Sequence, residues 1–259
     1  MRKWRPTHKC IYVIPEVHGA IESLNIIFSR ILPLRFSLNQ EDMVILLGDY
    51  IDKGADSASV LDILIECKRE YGDKFLCIKG NHEVLLLKAL ASEQDYRAWV
   101  LQGGITTIKS YLDKLNLDSD PASFPFSRLS DIIPTSHIEF LNSLPTHIEL
   151  EDYVLFHGGF DLTKLTKTDS DNLWAFDIQS SKNIKKLVKD KQNPLSEETK
   201  IYVGAHNFKS QLPYIYHKYF MLGGGAPNKI ILFELNSMTC AMIKQGKSRI
   251  YNHKFKYLE

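Results

Sequence analysis

The sequence predicts an α/β protein in which short buried strands alternate with amphipathic helices. Two observations favour this class. In the first ninety residues, three apolar runs of four or five residues are each followed by a longer segment whose apolar residues recur at helical spacing. The second half of the chain then returns to short apolar runs that are rich in β-branched residues. This alternation is typical of layered folds built around a sheet with parallel strands.

Each of the three strand-helix units has a strand that stops at a structure breaker. The strands are predicted at residues 10–14, 43–47 and 75–78, and the breakers are Pro15, Gly48 and Gly80. The helices are predicted at residues 20–32, 57–71 and 84–90. Because the carboxyl ends of parallel strands meet at one edge of a sheet, we expect the polar residues that follow these strands to lie close together.

Residues 91–147 are predicted to be mostly helical, and we interpret them as a cap between two halves of a sheet. A loop containing Pro and Ser at residues 118–134 interrupts the helical pattern. Further strands are predicted at residues 153–156, 200–203 and 230–235. The large aromatic residues Trp99, Tyr111 and Trp174 are interpreted as core or cap packing residues, and the Lys-rich stretch 182–191 as a solvated surface.

The composition describes an ordinary globular chain of 259 residues, of which 44% are hydrophobic and 24% are charged. The length suits a single domain covering residues 1–259, because single cores stop growing at about 250–300 residues. Lys and Arg number 32 against 31 Asp and Glu, which gives a net charge of +1. This balance argues against a protein that binds nucleic-acid polymers or membrane surfaces by bulk charge, so neither partner is expected.

The four cysteines lie far apart without a Cys-x-x-Cys pair, and we interpret them as reduced core thiols. No apolar stretch reaches the roughly 18 residues of a membrane-spanning helix, and the N-terminal apolar run is too short for a signal segment. We therefore expect a cytoplasmic protein, although a substrate of an export machine with an unusual signal would look the same. The sequence carries no indication of the oligomeric state.

A cluster of metal-competent side chains follows each of five predicted strands. Glycines flank these clusters, and they permit sharp turns and a close approach of backbone N–H groups to anionic oxygens. The clusters are Pro15-Glu16-Val17-His18-Gly19, Gly48-Asp49-Tyr50-Ile51-Asp52-Lys53-Gly54, Gly80-Asn81-His82-Glu83, His157-Gly158-Gly159 and Gly204-Ala205-His206-Asn207.

Carboxylates, imidazoles and an amide together form a mixed oxygen and nitrogen ligand set. Such a set suits manganese, iron or zinc better than calcium. Two such ions about 3.5–4 Å apart can polarise a phosphoryl group and turn a bridging water into a nucleophile near neutral pH. The clusters therefore predict hydrolysis of phosphoesters without a covalent enzyme intermediate.

These motifs resemble those of the calcineurin-like metallophosphoesterases, and within them the phosphoprotein phosphatase family. The resemblance covers residues 11 to about 235 and rests above all on Gly48-Asp49-Tyr50-Ile51-Asp52-Lys53-Gly54 followed by Gly80-Asn81-His82-Glu83. The cap segments Trp99–Tyr111 and Phe140–Pro145 are similar to the small bacterial and phage branch of that family. The resemblance implies a four-layer α/β/β/α sandwich with a helical cap insertion. It also implies a metal-dependent phosphomonoester hydrolase, first of all a serine/threonine protein phosphatase.

The resemblance also implies roles for individual residues. Two divalent ions are expected, with manganese as the first choice and iron or zinc as alternatives. The implied ligands of the first ion are Glu16, His18 and Asp49, and those of the second are Asp49, Asn81, His157 and His206. Asp49 would bridge the two ions. His82 would be the general acid that protonates the leaving alkoxide, and Asp52 would orient it. Glu83 is interpreted as a support of its loop, and the other histidines (His8, His137, His147, His217 and His253) as surface or structural residues.

The chain departs from the family pattern at several positions. Ala205 and Asn207 flank His206 where the family has Gly-His-Thr. Pro15-Glu16 replaces Gly-Asp, so the first metal site is expected to be displaced or weaker. Lys53 replaces an arginine and offers phosphate a point charge instead of a bidentate clamp. Phe176 replaces a second substrate-binding arginine. Lys53, Asn81 and the cap residue Arg128 are the remaining candidates for binding phosphate, although Arg128 could equally be a surface residue.

Two alternatives to a protein phosphatase stay open. Relatives with the same core hydrolyse diadenosine tetraphosphate and similar dinucleotides, so the substrate could be a small phosphoester instead of a phosphoprotein. The departures at Glu16, Lys53 and Phe176 all weaken the site in one direction, which is the pattern of a pseudophosphatase that binds phosphorylated ligands without turnover. Competent residues at all six ligand positions favour an active enzyme over that reading.

Overall fold

The computed structural model describes residues 10–31, 42–158, 200–205, 213–216, 219–223, 225–244 and 247–254. They form two β-sheets and a set of helices, which confirms the predicted α/β class. The strands are β1 (Ile11–Ile14), β2 (Met43–Leu46), β3 (Phe75–Cys77), β4 (His147–Glu149), β5 (Tyr153–Phe156), β6 (Ile201–Gly204), β7 (Tyr214–Tyr216), β8 (Tyr219–Met221), β9 (Lys229–Glu234), β10 (Thr239–Lys244) and β11 (Lys247–Lys254). The α-helices are α1 (Ile21–Ile26), α2 (Ser57–Tyr71), α3 (Asn81–Ala89), α4 (Glu93–Trp99), α5 (Ile105–Lys114), α6 (Leu129–Ile132) and α7 (Thr135–Ser143).

The first sheet has six strands in the order β11-β10-β9-β1-β2-β3. Strands β1, β2 and β3 are parallel, with Ile11 opposite Met43 and Val44 opposite Phe75. Strand β9 pairs with β1 in the antiparallel sense and continues into an antiparallel β9-β10-β11 meander. Every residue of β1 and β2 is buried, as expected for parallel strands that are covered on both faces. The three predicted strand-helix units are confirmed.

The second sheet has five strands in the order β4-β5-β6-β8-β7. Strands β5, β6 and β8 are parallel, and the short strands β4 and β7 form antiparallel edges. The predicted strands at 153–156 and 200–203 are present, the latter shifted by one residue to Ile201–Gly204. Strands β4, β7 and β8 were not predicted, because a strand of three residues is too short to establish an alternating pattern. Strands β10 and β11 of the first sheet were not predicted either.

The two sheets pack face to face, and helices cover the first one. Ile14 and Leu46 lie in an apolar core that the first sheet shares with α1 and α2. Val13 and Leu155 belong to a second core between the two sheets. Phe156 is directed to the opposite face of the second sheet and is also buried, so this outer face is covered as well. The arrangement agrees with the four-layer sandwich that the resemblance implies.

Helices α4, α5, α6 and α7 confirm that residues 91–147 are mostly helical. Helices α4, α5 and α7 pack against α2 or α3, on the helical side of the first sheet, and α6 packs against α5. The chain passes through them from β3 of the first sheet to β4 of the second. The expected position between two halves of one sheet is therefore wrong, since this region connects two different sheets. Part of the predicted 118–134 loop is ordered as short 3-10 turns and α6.

None of the four cysteines forms a disulfide. Cys77 and Cys240 are buried, as expected for core thiols, whereas Cys10 and Cys67 are half-buried against the core. Burial raises the pKa of the Cys77 thiol to about 12. In the described part of the chain, no helix combines the length and the apolar character needed to cross a membrane.

Glu83 ties together the two loops that follow β2 and β3. Its Oε2 accepts the backbone N–H groups of Gly80 and Asp49, and its Oε1 accepts that of Tyr50, all at 2.8 Å. The side chain has no exposed surface. Burial raises the pKa of Glu83, and the nearby charge of Asp49 raises it further. Three hydrogen bonds from backbone donors offset this cost, so Glu83 acts as a structural support of its loop.

We predict that Glu83→Gln lowers the free energy of unfolding by about 1–3 kcal/mol, because the amide nitrogen leaves at least one buried N–H without an acceptor. Urea unfolding followed by circular dichroism measures this loss. The matched control is Glu93→Gln on the exposed first turn of α4, where Glu93 pairs with Arg97 and the loss should not exceed about 0.5 kcal/mol. Equal losses for the two variants would contradict the role of Glu83.

Candidate metal centre

The loops that carry the predicted site residues adopt an unusual backbone conformation. His18, Asp49, Asp52 and Lys53 have φ angles of 45°, 52°, 70° and 64°, in the left-handed region that residues with side chains rarely occupy. The described residues contain only two other non-glycine positions with positive φ, Asn116 and Met238. Strain of this kind persists where the surrounding structure enforces it, and it concentrates at functional sites.

Two glycines allow these loops to pass very close to one another. A Cβ atom on Gly54 would lie 1.8 Å from the carbonyl oxygen of His18. A Cβ atom on Gly80 would lie 2.4 Å from the backbone nitrogen of Asp49. Both distances are far inside van der Waals contact, so glycine is required at these positions. The glycines therefore let the ends of β1, β2 and β3 converge.

Asp49 lies at the centre of the converging side chains. Its Oδ2 is 3.3 Å from His18 Nε2 and 4.0 Å from His82 Nε2, and its Oδ1 is 3.2 Å from His157 Nε2. All four residues are buried. Burial by itself raises the pKa of Asp49, but the neighbouring His157 and His18 outweigh it and hold the pKa well below its usual range. Asp49 is therefore a buried, ionised carboxylate surrounded by imidazoles.

The backbone determines which nitrogen each of two imidazoles presents to Asp49. His18 Nδ1 lies 2.8 Å from the carbonyl oxygen of Ile51, and His157 Nδ1 lies 2.6 Å from that of Leu47. A carbonyl only accepts, so each Nδ1 carries a proton and donates it. In the neutral ring, Nε2 then keeps its lone pair and directs it towards the carboxylate. Orientation by a backbone carbonyl is the usual arrangement of a metal-binding histidine.

The charges around Asp49 fit a bound cation. An imidazole lone pair and a carboxylate oxygen about 3.2–3.3 Å apart repel each other unless a proton or a cation lies between them. Burial lowers the pKa of His157, but the charge of Asp49 outweighs it and raises that pKa to about 9. Burial also lowers the pKa of His18, but the hydrogen bond to Asp49 and the charge of Asp49 raise it overall. These residues thus attract protons at positions where a divalent ion would compete with them, so the donor set fits a divalent cation.

Other predicted ligands lie in the same region. Asn81 Oδ1 is 2.9 Å from His157 Nε2, and Asn81 is the first residue of α3. Glu16 is half-buried, and its negative charge contributes to the raised pKa of both His18 and His157. His206, the remaining predicted ligand, lies outside the described residues, as do Trp174, Phe176 and the segment 182–191. Among the described residues, the side chains of His18, Asp49 and His82 form a group whose possible ligand atoms lie within 4.8 Å of one another.

The two predicted phosphate-binding cations differ in their surroundings. Lys53 is exposed, and its Nζ lies 3.0 Å from His18 Nε2, on the lone pair that a metal would use. Arg128 is exposed on the cap, where its guanidinium lies over Phe124 and 3.6 Å from Asp131. The structure thus places Lys53 at the site, whereas the contacts of Arg128 are with its own cap segment.

His82 and Asp52 form a tight buried pair. His82 Nδ1 lies 2.7 Å from Asp52 Oδ2, and Asp52 has no exposed surface. The hydrogen bond turns the other ring nitrogen, Nε2, towards Asp49, and the rings of His82 and His18 meet edge to face with centroids 4.8 Å apart. The arrangement can hold a proton at the edge of the metal ligands.

The sequence did not predict the roles of two residues at this site, Trp99 and Thr107. Trp99 Nε1 donates to both carboxylate oxygens of Asp52, and Thr107 Oγ1 donates to Oδ1. The interpretation of Trp99 as a packing residue is therefore incomplete, although its ring is fully buried. No local pattern could reveal these bonds, because they join residues 47 and 55 positions apart.

His137 follows its structural interpretation. It is buried between the Tyr111 hydroxyl at 2.7 Å and Asp62 at 3.0 Å, and burial lowers its pKa to about 4. It therefore stays neutral near pH 7 and belongs to the packing of α5 on α7.

Two bacterial serine/threonine-protein phosphatases match part of this chain. Serine/threonine-protein phosphatase 1 of Salmonella typhimurium is 32% identical over 103 residues, which cover 40% of this chain and 41% of the relative. Serine/threonine-protein phosphatase 2 of Escherichia coli is 33% identical over 97 residues, which cover 38% of this chain and 39% of the relative. The matched segments thus span about two fifths of these curated relatives.

Solved structures match over nearly the whole chain but at low identity. A protein serine/threonine phosphatase from Saccharomyces cerevisiae superposes with a TM-score of 0.53 at 14% identity, over 98% of this chain and 81% of that one. A candidate diadenosine tetraphosphatase superposes with a TM-score of 0.51 at 16% identity, over 94% and 92%. At this identity the likeness concerns the fold alone. The sequence profile described as "Calcineurin-like phosphoesterase" matches residues 11–232, which include every described residue of the metal centre, and the chain belongs to that family.

Proposed function

We propose that this protein is a metal-dependent phosphomonoester hydrolase that acts on phosphoserine and phosphothreonine in proteins. The observation that carries the proposal is the convergence of three imidazole Nε2 atoms on the Asp49 carboxylate, at 3.2, 3.3 and 4.0 Å. The bacterial relatives that match this chain are serine/threonine phosphatases, which favours a phosphoprotein as substrate. The matches cover only about two fifths of those relatives. The substrate of the whole protein is therefore a proposal that rests on the geometry of the site.

The donor set suits two divalent ions that share Asp49. Glu16, His18 and Asp49 would hold the first ion, and Asp49, Asn81, His157 and His206 the second. Mixed carboxylate, amide and imidazole ligands favour manganese, with iron and zinc as alternatives. Bound there, the ions would supply a nucleophilic water near neutral pH and offset the charge of the phosphoryl group. The raised pKa of His18 and His157 beside Asp49 supports this assignment, because it marks positions that attract positive charge.

His82 would act as the general acid. Its Nδ1 proton is engaged by Asp52 at 2.7 Å, so Nε2 is the atom that faces a bound phosphoester. A proton on Nε2 would pass to the oxygen of the leaving serine or threonine as the bond from phosphorus to that oxygen breaks. Asp52 would keep the ring in the tautomer and orientation that this transfer requires.

Lys53 and Asn81 are the proposed phosphate-binding residues of the chain, and Arg128 is a further candidate. The ammonium of Lys53 lies 3.0 Å from His18 and is exposed, so it can turn from His18 to a phosphate oxygen. As a point charge, it would bind phosphate without the bidentate geometry of arginine. We also propose a cytoplasmic location, in keeping with four cysteines that form no disulfide.

A pseudophosphatase is the second candidate function, and the contact between Lys53 and His18 is the observation that favours it. In that case the ammonium would take the place of the first ion instead of yielding to it. Such a protein would bind phosphorylated ligands but would lack the two-metal chemistry.

We predict that the manganese-loaded protein hydrolyses p-nitrophenyl phosphate and phenyl phosphate. Asn81→Ala should reduce kcat on both esters by about 10–100-fold, as expected for loss of a metal ligand. His82→Ala should reduce kcat on phenyl phosphate by about 100-fold or more, because phenolate needs the proton of a general acid to leave, and on p-nitrophenyl phosphate by a smaller factor. The control is His147→Ala, a histidine of the edge strand β4, which should keep the rate within about twofold. Equal rates in the wild type and in both site variants would contradict the proposal. With activity established, phosphopeptides compared with dinucleoside polyphosphates decide between a protein phosphatase and a dinucleotide hydrolase.

We predict that Glu16→Asp tightens binding of the first manganese ion about tenfold, because the shorter side chain matches the aspartate of the family pattern. Titration calorimetry with Mn²⁺, with the second site filled first, measures the affinity. A loss of both metal affinity and phosphatase rate would show instead that the site has adapted to the longer glutamate.

We predict that Lys53→Met strengthens manganese binding in the absence of substrate by about tenfold, yet raises KM for phosphomonoesters, because the ammonium competes with the ion for His18 and also binds phosphate. Lys109→Met, which removes an exposed cap lysine paired with Asp113, is the charge-matched control and should change neither quantity. A Lys53 variant with unchanged metal affinity would contradict the competition.

A further inference from the structure

Asp52 is a fully buried carboxylate whose charge depends on three side-chain donors. His82 Nδ1 lies 2.7 Å from Oδ2, Thr107 Oγ1 lies 2.7 Å from Oδ1, and Trp99 Nε1 lies 2.9 Å from Oδ2 and 3.1 Å from Oδ1. A buried charge is tolerated only when such partners surround it. Asp52 thus holds His82, the proposed general acid, and the cap residues Trp99 and Thr107 hold Asp52.

The direction of these hydrogen bonds follows from the chemistry of the donors. The indole N–H can only donate, so Asp52 remains an acceptor on the side of α4. Thr107 Oγ1 accepts the backbone N–H of Asp52 at 2.9 Å, and its own hydrogen is then available for Oδ1. Ser57 Oγ also accepts that N–H, at 3.1 Å, and lies 2.9 Å from Thr107 Oγ1. Thr107 therefore holds both the left-handed backbone and the side chain of Asp52, and Ser57 also holds the backbone.

Trp99 has a role that Thr107 does not share, because its N–H reaches both carboxylate oxygens. The terminal torsion of an aspartate is soft, so the carboxylate plane turns easily unless it is restrained. A donor placed between the two oxygens restrains that rotation. With Trp99 in place, Oδ2 stays opposite His82 Nδ1, and the ring of His82 keeps its direction.

The position of Trp99 depends on the junction between α4 and α5. Trp99 ends α4 and has no exposed surface. A Cβ atom on Gly104, at the start of α5, would lie 2.4 Å from Cε2 of the indole, so only glycine allows α5 to pass. Thr107 lies in the first turn of α5, three residues after Gly104. Both cap donors to Asp52 thus come from one packed junction.

We propose that Trp99 is a positioning residue for His82, acting through Asp52 with Thr107 as its partner. The inference rests on the proposed function, in which His82 protonates the leaving oxygen. A displaced general acid slows esters with poor leaving groups most, since p-nitrophenolate departs with little help from a proton whereas phenolate needs it. A merely structural residue would slow both esters alike.

The experiment compares kcat on p-nitrophenyl phosphate and phenyl phosphate for the full-length, manganese-loaded protein. Trp99→Phe should lower kcat on phenyl phosphate by about tenfold or more, and on p-nitrophenyl phosphate by less than about threefold, out of the roughly 10²–10⁴-fold that a general acid supplies. KM should stay unchanged for both esters, because Trp99 donates its hydrogen bonds to Asp52 and not to Lys53 or Asn81, the proposed phosphate-binding residues. Thr107→Val should show the same selectivity to a smaller extent.

Two further variants separate positioning from folding. Replacement of Trp99 by β-(3-benzothienyl)alanine keeps the shape of the ring and removes only the N–H donor, and it should reproduce the selective loss. Tyr96→Phe is the matched control, because Tyr96 is another buried aromatic of α4, and its hydroxyl donates to the carbonyl oxygen of Phe124 instead of to Asp52. It should change both rates by the same factor. In a His82→Ala background, Trp99→Phe should have no further selective effect.

Each outcome decides the inference. A selective loss that disappears in the His82→Ala background supports it. Equal losses on the two esters, or a selective loss that persists without His82, overturn it while leaving the proposed phosphatase function intact. A wild-type protein that turns over neither ester overturns the proposed function, and this inference with it.

Discussion

The site depends on one buried carboxylate, Asp49, and on the imidazoles that face it. A charge without access to water needs partners, and His18 and His157 provide them at 3.2–3.3 Å. Backbone carbonyls fix the outer nitrogen of both rings, so their inner nitrogens cannot turn away. The result is a buried group of carboxylate and imidazole atoms whose chemistry suits a divalent cation.

Much of the local architecture serves to hold this group together. Glu83 gathers the backbone N–H groups of the loops after β2 and β3, and Gly54 and Gly80 let the loops approach. His18 and Asp49 accept left-handed backbone conformations as a consequence. Strain, close approach and a buried carboxylate all occur within a few residues of the strand ends, which indicates that these contacts are shaped by function more than by stability.

A second constraint acts from the cap. Through Trp99 and Thr107, helices α4 and α5 contact Asp52, which in turn holds His82. The cap is therefore part of the site as well as a cover on α2 and α3. The junction between α4 and α5 is thereby linked to the proposed proton donor through Asp52.

The sequence predicts a large part of this arrangement, and the missing parts have physical reasons. Strands β1, β2 and β3 show continuous apolar runs that end at breakers, so the clusters after them are visible in the sequence. The pairing of β9 with β1 and the division into two sheets depend on long-range contacts that leave no local pattern. The bonds of Trp99 to Asp52 are of the same kind. The left-handed φ angles of His18 and Asp49 are also invisible in the sequence, because tertiary contacts impose them on residues that prefer other conformations.

The central claim is that Asp49 is shared by two metal ions. Anomalous diffraction at the manganese edge, from crystals grown with Mn²⁺, tests it most directly. If two ions share Asp49, two anomalous peaks about 3.5–4 Å apart are expected on either side of its carboxylate, with Lys53 moved away from His18. A single peak or none, with the Lys53 ammonium still on His18 Nε2, would contradict it.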